Sequence, residues 1–266
     1  MKLERVYQPI AACLARVDAE VAARTGVGVP VFSGGKRLRP ALLLFSAHAF
    51  DGRSCPDAVL LAAAVELVHT ASLIHDDVID TAARRRQSSS LHRRIGVKPA
   101  VILADLLFVQ GLSMLESVRG SGLAHALIRE VRTMCEGQWL EMKAARARRC
   151  TKETYQEIID KKTAALFAFC CRTGGVLRNA PTDELTSLDM FGRGFGLAYQ
   201  LLDDARDLST DRPGPLEQRV IEWGGRPYLR RAAGKAAGAC RAALAGLRDR
   251  TERHGLEHVL RITREV

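Results

Sequence analysis

At 266 residues, with 47% hydrophobic and 26% charged side chains, the chain has the size and balance of one compact globular domain, which excludes disorder. Gly (22) and Pro (9) follow no period, so collagen-like and low-complexity readings fall away, and 5% aromatics beside abundant Ala, Leu and Arg favour helix over sheet. Forty Lys and Arg against thirty Asp and Glu leave a net charge of +10, which favours anionic partners: nucleic acid, an acidic membrane face or a phosphorylated metabolite.

In chain order, residues 3–24 place Val6, Ile10, Cys13, Leu14, Val17 and Val21 on one stripe, which predicts an amphipathic first helix. A Gly-containing connection follows over 26–35, and Pro40 opens the next helix near its first turn. Spacing near 3.6 predicts further helices over 41–50, 56–80, 98–118, 122–144, 152–178, 183–208 and 227–247. Turn-forming clusters separate them, among them Asp51-Gly52, Ser88–Ser90, Asn179-Ala180-Pro181 and Asp211–Pro215. No repeat and no linker-like stretch interrupts the series, so residues 1–266 read as a single all-α domain. The seven Cys show no spacing of a disulfide framework or zinc site, and Cys170 and Cys171 read as packed free thiols. Residues 1–24 lack an apolar signal core, and Glu66 and His69 interrupt the most apolar run, Ala58 to Ile74. A cytoplasmic protein with no transmembrane segment is the expectation.

Two helices carry the same acidic pattern: His75-Asp76-Asp77-Val78-Ile79-Asp80 and Leu202-Asp203-Asp204-Ala205-Arg206-Asp207. In each, the first and last aspartates, Asp76 and Asp80 or Asp203 and Asp207, lie one turn apart on nearly one face. Like charges at that spacing destabilise a helix, so the cluster calls for a compensating cation, and hard ions such as Mg²⁺ bind one or two carboxylates plus substrate phosphate oxygens. A basic set stands in the same chain: Gly34-Gly35-Lys36-Arg37-Leu38-Arg39-Pro40, Arg84-Arg85-Arg86, Lys161-Lys162-Thr163, and His69 two turns before Asp76. Taken singly, each segment also reads as a solvated charge run, and the three arginines as a nucleic-acid patch. Together, two acidic clusters and a basic set have the chemistry of a diphosphate site.

These motifs, with Gln200 before the second acidic cluster, resemble the polyprenyl synthetase family, the trans-isoprenyl diphosphate synthases, over about residues 30–210. Around the first cluster the chain looks most like long-chain members. The resemblance implies the isoprenoid synthase fold, a helical bundle around a central active-site cavity. It implies a Mg²⁺-dependent prenyltransferase that condenses isopentenyl diphosphate with an allylic prenyl diphosphate. Asp76, Asp80 and Asp203 would hold the metal, with Arg85, Lys162, Thr163 and Gln200 assisting on the allylic diphosphate. Lys36, Arg39, His69 and Arg86 would hold isopentenyl diphosphate without metal. The family's dimer implies a homodimer here, because the stretch Ala100 to Leu115 is apolar around much of its circumference and needs cover from more than one side. Where short-chain members carry a bulky aromatic floor, this chain has Ala71 and Ser72, which implies a long product.

The chain departs from the family pattern in three places. Gln87-Ser88-Ser89-Ser90 follows the arginines in place of a Gly and Pro turn. Gly137-Gln138-Trp139-Leu140-Glu141 exchanges the usual acid and amide. After Asp207 only Arg226 is available to stand for a lid lysine. Two other functions fit the same fold: a terpene-cyclase-like enzyme acting on one prenyl diphosphate, and a non-catalytic or partner-dependent subunit. The intact second cationic set argues against the first, and the retained aspartates argue against the second. A nucleic-acid binder would explain the charge but not two acidic clusters.

Overall fold

The computed structural model describes residues 3–25, 35–52, 55–85, 88–118, 122–208, 211, 213–248 and 253–265. The helices are α1 (Leu3–Tyr7), α2 (Ala11–Thr25), α3 (Leu38–Asp51), α4 (Pro56–Ile79), α5 (Leu91–Ile95), α6 (Val97–Met114), α7 (Leu123–Ala147), α8 (Lys152–Ile159), α9 (Ala165–Val176), α10 (Thr182–Asp207), α11 (Pro215–Glu222), α12 (Gly225–Ala245) and α13 (His254–Glu265). Among the described residues the only strands are Arg84–Arg85 and Ser88–Ser89, a two-residue antiparallel ribbon. The all-α expectation therefore holds.

Helix α4 runs through the middle of the bundle. Pro56, whose missing N–H costs nothing in a first turn, opens it, and from Ala58 to Ala71 it is buried on almost every side. Helices α2, α3 and α6 pack around it; α9 bridges α3 and α10, and α12 backs α10. The two acidic patterns end α4 and α10, so both lie at one end of the bundle.

Glycine sets how closely α10 approaches its neighbours. A Cβ at Gly192 would stand 2.5 Å from the Phe167 carbonyl oxygen, and one at Gly196 would stand 2.6 Å from the Ala164 Cα. Both sites lie on one face of α10, and Gln200 is one turn further along that face. Gly196→Ala forces these backbones apart and should lower unfolding stability by about 1–3 kcal/mol, read as a lower urea midpoint at unchanged slope.

Local differences from the predicted elements have physical causes. The first helix is split by a 3-10 turn at Gln8–Ile10, where Pro9 supplies no N–H. The helix expected over 152–178 contains a π turn, Asp160–Ala164, which no hydrophobic period announces. Helices α5 and α11, of 5 and 8 residues, are too short for a periodic signal. In α13, Leu256, Val259 and Leu260 are buried in a segment otherwise rich in charge.

Both α4 and α6 have the length and apolar composition of a membrane-crossing helix. For α4 this reflects its place in the core. Helix α6 is different: Val97, Ile102, Leu106 and Val109 are exposed, Ile102 at 67%. Across the surface, α7 exposes Ile128, Trp139 and Met142.

Candidate active site

The entrance to α3 is shaped by two residues with positive φ, Gly35 at 121° and Arg37 at 47°. An arginine accepts that conformation only when its surroundings fix it, and they do: Nε donates to Asp18 Oδ1 at 2.9 Å, and Nη1 pairs with the buried Glu66. The Tyr7 hydroxyl donates to the Lys36 carbonyl at 2.6 Å. Held this way, Lys36 places its ammonium 5.5 Å from the centre of the Tyr199 ring, and burial, then the charge of Arg206, push its pKa down. The Arg39 guanidinium lies 4.3 Å from the Phe167 ring centre and donates from Nη1 to His69 Nε2 at 2.9 Å. Arginine has only donors, so His69 accepts there and carries its proton on Nδ1. The Nε of Arg39 is shut off from solvent and has no hydrogen-bond partner among the described residues.

At the other end of α4, Asp76 and Asp80 project one turn apart. The helix C-terminus is the unfavourable end for carboxylates. Burial pushes both groups above the usual carboxylate range, against the pull of Lys162. Asp77 points elsewhere: it is buried and takes Nε and Nη2 of Arg85 on one oxygen at 2.8 and 2.5 Å. That pair anchors the Arg84–Arg85 ribbon beside the carboxylates.

The opposite wall is built on the π turn. Its wider backbone turns Lys162 toward Glu141 of α7, with which it pairs, and Thr163 toward α10, where its hydroxyl donates to Gln200 Oε1 at 2.9 Å. Gln200 Nε2 then donates to Asp204 Oδ1 at 2.8 Å, and the Tyr155 hydroxyl donates to the other oxygen of Asp204. Asp204 is thus the anchored member of its cluster, as Asp77 is of the first. Gly137 completes the fit, because a Cβ there would stand 2.8 Å from the Lys161 Cβ. Lys161 faces away, paired with Glu157 at 2.9 Å.

A cavity of about 470 Å³ lies between these walls, lined by Arg39, His69, Asp76, Arg85, Lys162, Thr163, Gln200 and Asp203 among the residues expected from sequence. Lys36 stands against Tyr199, which also lines it, and Asp80 follows Asp76 at the end of α4. Arg86 lies outside the described residues. Sequence reasoning missed Glu141, Tyr155 and Tyr199, all on the cavity wall. The exchanged acid in Gly137–Glu141 was the available signal for Glu141. Arg226 does not reach the cavity: Nε donates to the Ala205 carbonyl at 3.0 Å and Nη2 to the Leu208 carbonyl at 2.8 Å, capping α10.

A second cavity, about 210 Å³ and mostly apolar, shares Ser72, Asp76 and Lys162 with the first and continues past His75, Phe108, Met134 and Trp139. Ala71, expected beside Ser72 on this passage, is instead fully buried in the core and does not line it. As to metal, no three His, Cys, Asp or Glu side chains among the described residues form a cage. The donors are carboxylates on two facing walls. That set suits a hard divalent ion that takes one or two carboxylates and completes its shell from substrate phosphate and water.

The Polyprenyl synthetase family model matches residues 27–214. A geranylgeranyl diphosphate synthase of Methanosarcina mazei is 35% identical over 185 residues, 68% of this chain and 57% of the relative, so the chain spans little more than half that relative's length. The octaprenyl diphosphate synthase of Escherichia coli is 30% identical over 222 residues, 79% of this chain and 68% of the relative. Among solved structures, a decaprenyl diphosphate synthase from Rhodobacter capsulatus gives a TM-score of 0.86 at 27% identity, covering 99% of this chain and 98% of that one. A polyprenyl synthase from Caulobacter crescentus, complexed with calcium and isoprenyl diphosphate, gives 0.85 at 27% identity, covering 98% and 97%.

Proposed function

Because the chain belongs to the polyprenyl synthetase family, we propose that it is a Mg²⁺-dependent trans-prenyltransferase joining isopentenyl diphosphate to an allylic prenyl diphosphate. The observation that carries this reading is a single cavity lined by the cations of Arg39, Arg85 and Lys162 and by the carboxylates of Asp76 and Asp203, a set that a diphosphate with a divalent cation satisfies together. Lys36, Arg39 and His69 bind the isopentenyl diphosphate, with Arg86 as a further cation. Asp76, Asp80 and Asp203 hold the metal, and Arg85 and Lys162 face the allylic diphosphate. A bound divalent cation supplies neutralisation of the departing diphosphate. As the allylic carbon–oxygen bond ionises, the charge on the leaving oxygens falls between Arg85 and Lys162, fixed donors that need no reorganisation. Thr163 and Gln200 hold the wall in register. The double bond of isopentenyl diphosphate attacks the allylic carbon, and the released diphosphate takes the proton. No protein nucleophile takes part.

The apolar cavity beyond Asp76 supports a long product, since it receives the growing chain. The relatives range from geranylgeranyl to octaprenyl and decaprenyl synthases, so the length is read from product chromatography. Purified protein with magnesium, labelled isopentenyl diphosphate and allylic primers should form labelled polyprenyl diphosphate only when both substrates are present. Consumption of the allylic diphosphate alone would mark a cyclase instead.

The exposed apolar faces of α6 and α7 support a homodimer over a membrane span, because the half-exposed Asp105, 3.3 Å from His75 Nε2, sits on α6 and is expensive in lipid. Sedimentation at micromolar concentration should give a dimer; a monomer overturns this assignment. Seven free thiols support a reducing, cytoplasmic setting.

A further inference from the structure

The two acidic patterns differ in charge at the position before their last aspartate. Where the first has Ile79, 42% exposed, the second has Arg206. Arg206 Nη2 pairs with Asp203 Oδ1, and its Nε lies 3.3 Å from Asp207 Oδ1, so one guanidinium spans the first and last carboxylates of its own cluster. Asp76 and Asp80 have no such cation within their motif. Their neighbouring positive charges, Lys162 and Arg85, are each paired with another carboxylate, Glu141 and Asp77. The geometry points to Arg206 as a built-in counter-ion of the second carboxylate pair, which a divalent cation must displace before it can bind there. This inference rests on the metal-binding role proposed above for both clusters.

Several features make the displacement feasible. The Arg206 side chain is 48% exposed, so it can swing outward without breaking the core. Its place in the last turn of α10 suits a cation, and Arg226 satisfies the helix-end carbonyls independently of it. Arg206 is paired with Asp203, which lines the cavity, so it stands beside the space a diphosphate would fill. A diphosphate bound there offers Arg206 a better acceptor than Asp203, because guanidinium pairs with phosphate in two-pronged fashion. Loading is therefore ordered. The first carboxylate pair takes its cation unaided, and the second becomes available once diphosphate draws Arg206 away.

The test is a Mn²⁺ titration of the intact chain followed by electron paramagnetic resonance, with and without inorganic pyrophosphate. The weaker class of sites in the wild type should tighten about tenfold in Arg206→Leu when pyrophosphate is absent, and the difference should shrink when it is present. The reciprocal variant, Ile79→Arg, should weaken the tighter class by a similar factor. Circular dichroism checks the fold, and Arg206→Gln replaces the leucine variant if that fails to fold. Superposable isotherms for wild type and Arg206 variant, with Mn²⁺ bound by both, overturn the counter-ion assignment and leave the metal reading standing. No Mn²⁺ bound by either protein overturns both.

Discussion

Asp76→Ala should lower turnover by about 10²–10³-fold or more at saturating magnesium, while far-ultraviolet circular dichroism keeps its helical signature. Asp76 is the carboxylate of α4 that lines both cavities, at their junction. The same substitution should act on stability with the opposite sign. Burial raises the Asp76 pKa above its unfolded value, only partly offset by Lys162. A carboxyl of this kind contributes fully below its unfolded pKa and loses that contribution as pH rises through the folded one. At neutral pH without a cation, ionised Asp76 therefore costs stability, and Asp76→Ala should melt higher than the wild type in a chelating buffer. A variant that is both more stable and inactive separates function from folding. Near wild-type turnover would remove Asp76 from the metal site.

Ser72→Phe should shorten the product while condensation persists. Ser72 lines both cavities, and its hydroxyl bonds back to the His69 carbonyl at 2.8 Å, so the side chain sits at the neck between them. A phenyl ring there fills the start of the apolar passage and leaves every carboxylate of the site in the sequence. Chromatography of the products beside those of the wild type reads the effect; unchanged chain length in an active variant removes the tunnel assignment. Ala71→Phe, which sequence alone would recommend equally, is a different experiment. Ala71 faces the core with no exposed surface, so the ring overpacks it and costs about 1–3 kcal/mol of stability.

The contrast between these neighbours shows what the sequence carried and what it did not. Helical period located α4, α6, α7 and α10 to within a few residues, because each is long enough to repeat its pattern. The acidic patterns and the basic segment before α3 brought Asp76, Asp203, Arg39 and His69 to one cavity, since a helix face fixes their directions. Which of Ala71 and Ser72 meets the cavity depends on how α4 is rotated against α6 and α7, and one helix does not encode that. Arg226 was misplaced for a similar reason: its partners are backbone carbonyls of α10, which leave no trace in side-chain pattern. Glu141 lay in a motif whose exchanged residues had no assigned role until Gly137 was seen to bring α7 against Lys161.

The π turn at Asp160–Ala164 carries a consequence for how this bundle tolerates changes in length. A π turn holds one residue more than the α-helix that would span the same rise, so the segment contains, in effect, an insertion that the neighbouring helices absorb. Loss of one residue within α9 would swing every later side chain by about 100° and break the packing of a helix buried on nearly every side. Loss of one residue between 160 and 164 would let α8 and α9 join in regular phase and keep that packing. What would vanish is the outward bow that aims Lys162 and Thr163 into the cavity. The chain therefore keeps a surplus residue at the point where folding least needs it and the diphosphate site most does.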